Sequence, residues 1–127
     1  MKELDKLLLP EVSLIIPLYN EQACLEKNYE TVRTYLDGTE WTYEIILIND
    51  GSTDRTPSIV RRIAQRNVRT HSIDCNKNKG KGHAIRLGMI HSKGQYVLFT
   101  DADLAVPTSF LGRCVHELAA GTDMVIG

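Results

Sequence analysis

Short apolar runs alternate along the chain with amphipathic stretches of helical spacing. Val12-Ser13-Leu14-Ile15-Ile16 is rich in branched residues and meets Pro17, which predicts a buried first strand stopped by the proline. From Gln22 to Leu36 the apolar positions are Leu25, Tyr29, Val32 and Leu36, steps of three and four that line one helix face, with Gly38 as a stop. Tyr43-Glu44-Ile45-Ile46-Leu47-Ile48 is the strongest strand signal and runs into Asn49-Asp50-Gly51-Ser52. A second helix is predicted from Thr53 or Asp54, burying Ile59, Val60 and Ile63, followed by a third strand from Val68 to Ile73. The polar loop Cys75 to Gly82 leads to a short helix over 83–90 and a fourth strand over 95–100. Thr108 then caps a helix that carries Phe110, Leu111, Cys114, Val115 and Leu118 on one side. Met124-Val125-Ile126 reads as the start of a fifth strand.

Strand–helix alternation with continuous apolar strands predicts an α/β fold, a mostly parallel sheet with helices on both faces. In such sheets ligands bind beyond the carboxyl ends of the strands. Three polar clusters, Tyr19-Asn20-Glu21, Asn49-Asp50 and Asp101/Asp103, each follow a strand directly. Packing does not require polar groups there, so their convergence on one sheet edge marks a site.

Composition narrows the classes. The 127 residues suit one domain, 1–127. Lys plus Arg number 15 and Asp plus Glu 16, a net charge of −1 that excludes a polybasic nucleic-acid clamp. No apolar run approaches the roughly 18 residues that span a bilayer. The pattern is that of a soluble, cytoplasmic domain. Cys24, Cys75 and Cys114 form no C-x-x-C pair, and His71, His83, His91 and His116 show no ligand spacing, which argues against disulfides and structural zinc.

Asp101 and Asp103 bracket one small residue. In an extended segment residues i and i+2 point the same way, so both carboxylates would address one point. Two such hard donors suit Mg²⁺ or Mn²⁺ with positions left for phosphate oxygens. An exposed acidic turn is the bland alternative. Asp50 is either turn chemistry before Gly51 or an acceptor for a base or ribose at a strand end, and Asp54 reads as a helix cap. Gly80-Lys81-Gly82, with Lys77, Lys79 and Arg86 nearby, offers N–H groups and cations to an anion at a helix N-terminus, or is a solvated loop. It is neither a Walker A loop nor G-x-G-x-x-G after a strand.

Taken together, residues 12–21, 45–54, 78–89 and 99–104 resemble family 2 glycosyltransferases in order and spacing, over nearly the whole chain from Val12. Gly80-Lys81-Gly82-His83-Ala84-Ile85-Arg86 and the stretch from Thr100 to Pro107 are most similar to dolichyl- or polyprenyl-phosphate glucosyltransferases. The resemblance implies a Rossmann-like GT-A fold binding a nucleotide-diphosphate sugar, UDP-glucose before GDP-mannose. Pro17, Tyr19, Glu21 and Asp50 would hold the nucleoside. Lys81, Gly82 and Arg86 would lie near the diphosphate, and Asp101, Ala102 and Asp103 would form the D-x-D element, with Asp101 and Asp103 on Mg²⁺ or Mn²⁺. Ala105 stands where some mannosyltransferases of the family carry a metal-liganding glutamine, which favours glucosyl transfer.

The reaction implied is inverting transfer to a polyprenyl phosphate, at the cytoplasmic face of a membrane for the complete enzyme. Family members carry a further acceptor-binding half after the fifth strand, so any catalytic base is expected beyond Gly127. Apolar surface meant for that half could drive self-association. The alternatives are an inert nucleotide-sugar module completed by a partner chain, a phosphoacceptor signalling domain and a nucleotidyltransferase. The signalling reading leaves the Tyr-Asn-Glu and Gly-Lys-Gly segments unused, and the nucleotidyltransferase reading lacks its glycine- and arginine-rich loop.

Overall fold

A computed structural model describes residues 9–123. Four strands, β1 (Val12–Leu18), β2 (Tyr43–Asp50), β3 (Thr70–Cys75) and β4 (Tyr96–Phe99), form a parallel sheet in the order β3-β2-β1-β4. Helices α1 (Leu25–Asp37), α2 (Thr56–Arg66), α3 (Lys81–His91) and α4 (Ser109–Ala119) connect and cover them. The α/β architecture with helices on both faces is the one the sequence predicts. Met124-Val125-Ile126 lies outside the described residues.

The alternation of side chains along β1 and β2 divides the core. Val12, Leu14, Ile16, Leu18, Ile45 and Leu47 pack on the face that meets α1, α2 and α4. All four apolar positions read in α1, Leu25, Tyr29, Val32 and Leu36, are buried there. Ile15, Ile46 and Ile48 point the other way and meet Ala84 of α3. That helix approaches closely because Gly88 faces Ile15: a Cβ at Gly88 would lie 2.6 Å from Ile15 Cγ2.

Several boundaries differ from expectation, each for a local reason. Pro17 does not stop β1; it pairs with Ile48, and the strand continues to Leu18. Pairing of β1 with β4 ends at Ile15–Phe99, where the Ile15 carbonyl accepts the Thr100 N–H at 3.0 Å. Two residues on, the Pro17 nitrogen faces the same side past the end of β4, so no ladder bond is lost. Val68 is 93% exposed and β3 starts at Thr70. Asn67 shapes that turn, its side chain donating to the Ile63 carbonyl and its carbonyl accepting the Thr70 N–H. Helices α1 and α2 begin two or three residues later than read, and α3 begins two earlier. Thr108 has helical angles (φ −59°, ψ −29°) and makes no side-chain cap, since a capping residue must leave the helical region. Among the described residues no helix is long and apolar enough to cross a membrane.

Candidate functional site

The strand order fixes where a ligand can sit. The chain runs from β1 outward to β2 and β3, then returns to place β4 on the other side of β1. The return crossover, α3, therefore lies on the face opposite α1, α2 and α4, and its N-terminus comes to the carboxyl edge of the sheet together with the loops that leave β1 and β4. Pro17 is half-buried there, Tyr19 is exposed, and Asp101 follows β4 two residues after Phe99.

The loops after β1 and β2 are tied to each other by short side chains. Asn20 adopts a left-handed conformation (φ 53°), and its Oδ1 accepts the N–H groups of Thr53 (2.8 Å) and Asp54 (3.3 Å). Its own N–H donates to Ser52 Oγ at 3.0 Å. Glu21 donates its N–H to Thr56 Oγ1 (2.9 Å), while its carboxylate accepts from the Cys24 thiol. The Asp54 carboxylate accepts the Thr56 N–H at 2.8 Å and the Gln22 N–H at 3.3 Å. Burial alone would raise the Asp54 carboxyl. The hydrogen bonds from Thr56 and Gln22 outweigh it and hold the group below its ordinary value. Asp54 thus shapes the turn before α2 without capping it: the N-cap position falls on Arg55, one residue later than read, and carries no side-chain cap.

Asp50 is 3% exposed and pairs in register with Cys75. Its two oxygens accept the N–H groups of Lys79 (3.0 Å) and Gly80 (2.9 Å), so the carboxylate anchors the loop that enters α3. Gly51 (φ 69°) lets β2 leave past that loop; a Cβ there would lie 2.3 Å from the Asn78 nitrogen. Gly80 (φ 98°) then turns the chain into α3, and both Gly80 and Gly82 face open space. The first turn of α3 presents free N–H groups with no acidic side chain, the arrangement that accepts an anion. Arg86, one turn on from Gly82, is exposed.

The D-x-D segment is a turn and not the extended strand exit expected: the Leu104 N–H donates to the Asp101 carbonyl at 3.1 Å. Its centre, Ala102, is buried, and its carbonyl is held by Asn28 of α1 at 2.7 Å. The i, i+2 argument for parallel carboxylates therefore does not apply. Asp101 forms an ion pair with Lys81, both side chains about half exposed. Lys81 also lies 5.8 Å from the Phe99 ring centroid. Asp103 accepts the Ala105 N–H at 3.1 Å. Burial, Glu21 and the Asp103 charge together push the Cys24 thiol up. Beside Asp101 a groove of ≈ 710 Å³ opens, lined by Met89, Phe99, Val106, Phe110 and Leu118.

Several organising residues escape sequence reasoning. Asn20 falls in the polar cluster read after β1, but not as the tie between two loops; its one signal for that was an asparagine directly after a strand, a residue type that tolerates the left-handed region. Asn28, 74 positions from the carbonyl it holds, had none. Nor did the juxtaposition of Asp50, Cys75 and His83, whose ligand atoms lie within 4.8 Å of one another.

Residues 13–127 match the family model for glycosyl transferase family 2, and the chain belongs to that family. It is 39% identical over 112 residues to a dolichyl-phosphate beta-glucosyltransferase of Trichomonas vaginalis, covering 84% of this chain and 34% of that protein. An undecaprenyl-phosphate 4-deoxy-4-formamido-L-arabinose transferase of Edwardsiella ictaluri is 39% identical over 115 residues, 90% of this chain and 35% of its own length. The chain thus spans about a third of the length of these relatives. Among solved structures, the Pyrobaculum calidifontis mannosyltransferase in complex with GDP-Man and Mn²⁺ superposes with a TM-score of 0.75 at 30% identity, over 90% of this chain and 34% of that one.

Proposed function

We propose that this chain is the donor-binding part of an inverting glycosyltransferase that moves a sugar, glucose from UDP-glucose first, onto a polyprenyl or dolichyl phosphate. The observation that carries the reading is the meeting of Lys81, the open N-terminus of α3 and Asp101 at the carboxyl edge of the sheet. The names of the two lipid-phosphate transferases support the acceptor class, and the mannosyltransferase complex supports a nucleotide-sugar donor. GDP-mannose is the second donor to consider. The complete enzyme would work at the cytoplasmic face of a membrane.

Pro17 and Tyr19 would border the nucleoside, with Glu21 in the loop after β1 and Asp50 at the end of β2 behind them. The N–H groups around Gly82, together with Lys81 and Arg86, would receive the diphosphate. Asp101 and Asp103 fit a hard cation by donor chemistry: each is an accessible carboxylate on one turn, fixed through the buried Ala102. Bound Mg²⁺ or Mn²⁺ would neutralise charge on the departing nucleoside diphosphate. Lys81 and Arg86 would stabilise the same charge from the α3 side. A phosphate acceptor is already anionic and places little demand on a general base.

The test is calorimetric titration of the chain with UDP-glucose and with GDP-mannose, each with and without Mn²⁺. Binding of one donor that needs Mn²⁺, and its loss in folded Asp101→Asn/Asp103→Asn, is the expected result. Unchanged donor affinity in the folded double variant would sink the metal assignment. Absence of binding by the folded wild-type chain would remove the donor role from this part of the protein.

A further inference from the structure

We propose that Asp50, Cys75 and His83 form a second cation site, suited to Zn²⁺ and separate from the hard-metal pair Asp101/Asp103. Three elements bring the groups together. Asp50 ends β2, Cys75 ends β3, and the two are register partners, so their side chains project on the same face. That face is the one α3 covers: Cys75 packs with Ile46, Ile48 and Ala84. Ala84 seats the first turn of α3 on the sheet, and its neighbour His83 reaches the same point. The carboxylate oxygen, thiol sulfur and ring nitrogen then lie within 4.8 Å of one another.

The second observation concerns the imidazole. His83 Nδ1 is buried and has no hydrogen-bond partner, while the other buried side chains of this edge are paired. A nitrogen in that position lacks a hydrogen-bond partner, and a metal would satisfy it. The donor set, one oxygen, one sulfur and one nitrogen, is that of a borderline-soft ion and not of Mg²⁺. Tetrahedral Zn²⁺ places sulfur and nitrogen ligands about 3.5 Å apart, so the trio closes on an ion by side-chain rotation of about an ångström. Asp50 remains able to ligate, because each carboxylate oxygen has a second lone pair beyond the one used by Lys79 or Gly80. Those N–H groups orient the carboxylate, as outer partners do at metal centres. The charges that act on the Cys75 sulfur are Asp50, Asp74 and Lys79, net negative and favourable to a cation.

Such an ion would fasten the ends of β2 and β3 to the start of α3 around the loop 76–80. The site shares Asp50 with the nucleoside reading but stands on its own geometry, so failure of donor binding leaves it untouched.

The experiment is a Co²⁺ titration of the chain followed by Zn²⁺ competition. A near-ultraviolet thiolate-to-cobalt band that Zn²⁺ removes is expected. Cys75→Ser should abolish the band, and Cys75→Ser and His83→Gln should each weaken Zn²⁺ binding at least ~10-fold. Zn²⁺ should also raise the melting temperature of the wild type and not of the two variants, whose metal-free melts serve as the folding control. No band in the wild type overturns the proposal. So does a band that persists in Cys75→Ser, which would assign it to Cys24 or Cys114, or a Zn²⁺ affinity indifferent to both variants.

Discussion

The two ends of the sheet's carboxyl edge are built in different ways. At the β2 end, backbone and side chains satisfy each other: Asn20 holds Thr53 and Asp54, Asp54 holds Thr56 and Gln22, and Asp50 holds Lys79 and Gly80. At the β4 end the strand stops three residues short of β1, Phe99 is exposed, and the Asp101 carboxylate is engaged by a half-exposed ion pair to Lys81. One end is a fixed frame. The other keeps its charges available, which is what a site for a charged ligand requires. Substitutions at the first end should therefore cost stability, and those at the second should alter binding.

The largest effect is expected at Gly51. Alanine there needs a left-handed backbone and sets a Cβ 2.3 Å from the Asn78 nitrogen and 2.5 Å from the Lys77 carbonyl carbon, both main-chain atoms that cannot rotate away. Gly51→Ala should destabilise the chain by at least about 3 kcal/mol, read as a fall in the urea midpoint. A loss under about 1 kcal/mol would mean that the loop 76–80 gives way, and the frame would be softer than its hydrogen bonds suggest.

A smaller effect, with a pH signature, belongs to Asp54. Removing its carboxylate leaves the Thr56 and Gln22 N–H groups without their acceptor, so Asp54→Ala should cost about 1 kcal/mol at neutral pH. The carboxyl is held below its ordinary value in the folded chain. A group depressed in this way stabilises the fold fully above its unfolded value, near 3.8, and loses that contribution as pH falls through the folded value. The gap between wild type and variant should be constant from pH 7 down to about 5 and narrow below 4, measured by denaturant midpoints across that range. A gap independent of pH would assign the whole effect to packing.

How much of this was legible depends on how far apart the interacting residues are in sequence. The α1 face of Leu25, Tyr29, Val32 and Leu36 and the run Ile45 to Ile48 are periodic signals within one element, and the structure buries all of them. Strand ends delivering polar residues to one edge follow from the parallel topology, and that too was readable. The continuation of β1 through Pro17 was not, because it depends on where β4 ends. The pairing of Lys81 with Asp101 and of Asn28 with the Ala102 carbonyl joins residues on different crossovers. The turn at Asp101 to Leu104 overrode the extended geometry that the D-x-D spacing invites. Local pattern tells which residues reach the edge; the loops that close after the sheet forms decide which of them meet.

The smallest stability effect, and the sharpest test of the contrast, is at Lys81. Its ion pair with Asp101 is half exposed, and such pairs contribute about 0–1 kcal/mol, so Lys81→Met should leave the denaturant midpoint nearly unchanged. The consequences should appear in binding, with opposite signs. Freed of its ammonium partner, Asp101 offers Mn²⁺ an uncompensated carboxylate, and Mn²⁺ alone should bind more tightly, by roughly 10-fold for each 1.4 kcal/mol of lost competition. A nucleoside diphosphate, deprived of the cation beside the α3 N-terminus, should bind more weakly. Calorimetry with Mn²⁺ and separately with UDP and GDP reads both shifts. If neither affinity moves, the pair is ordinary surface electrostatics and the β4 end holds no special cation. If instead the variant loses more than about 2 kcal/mol of stability, Lys81 belongs to the frame, and the two ends of the edge are built alike.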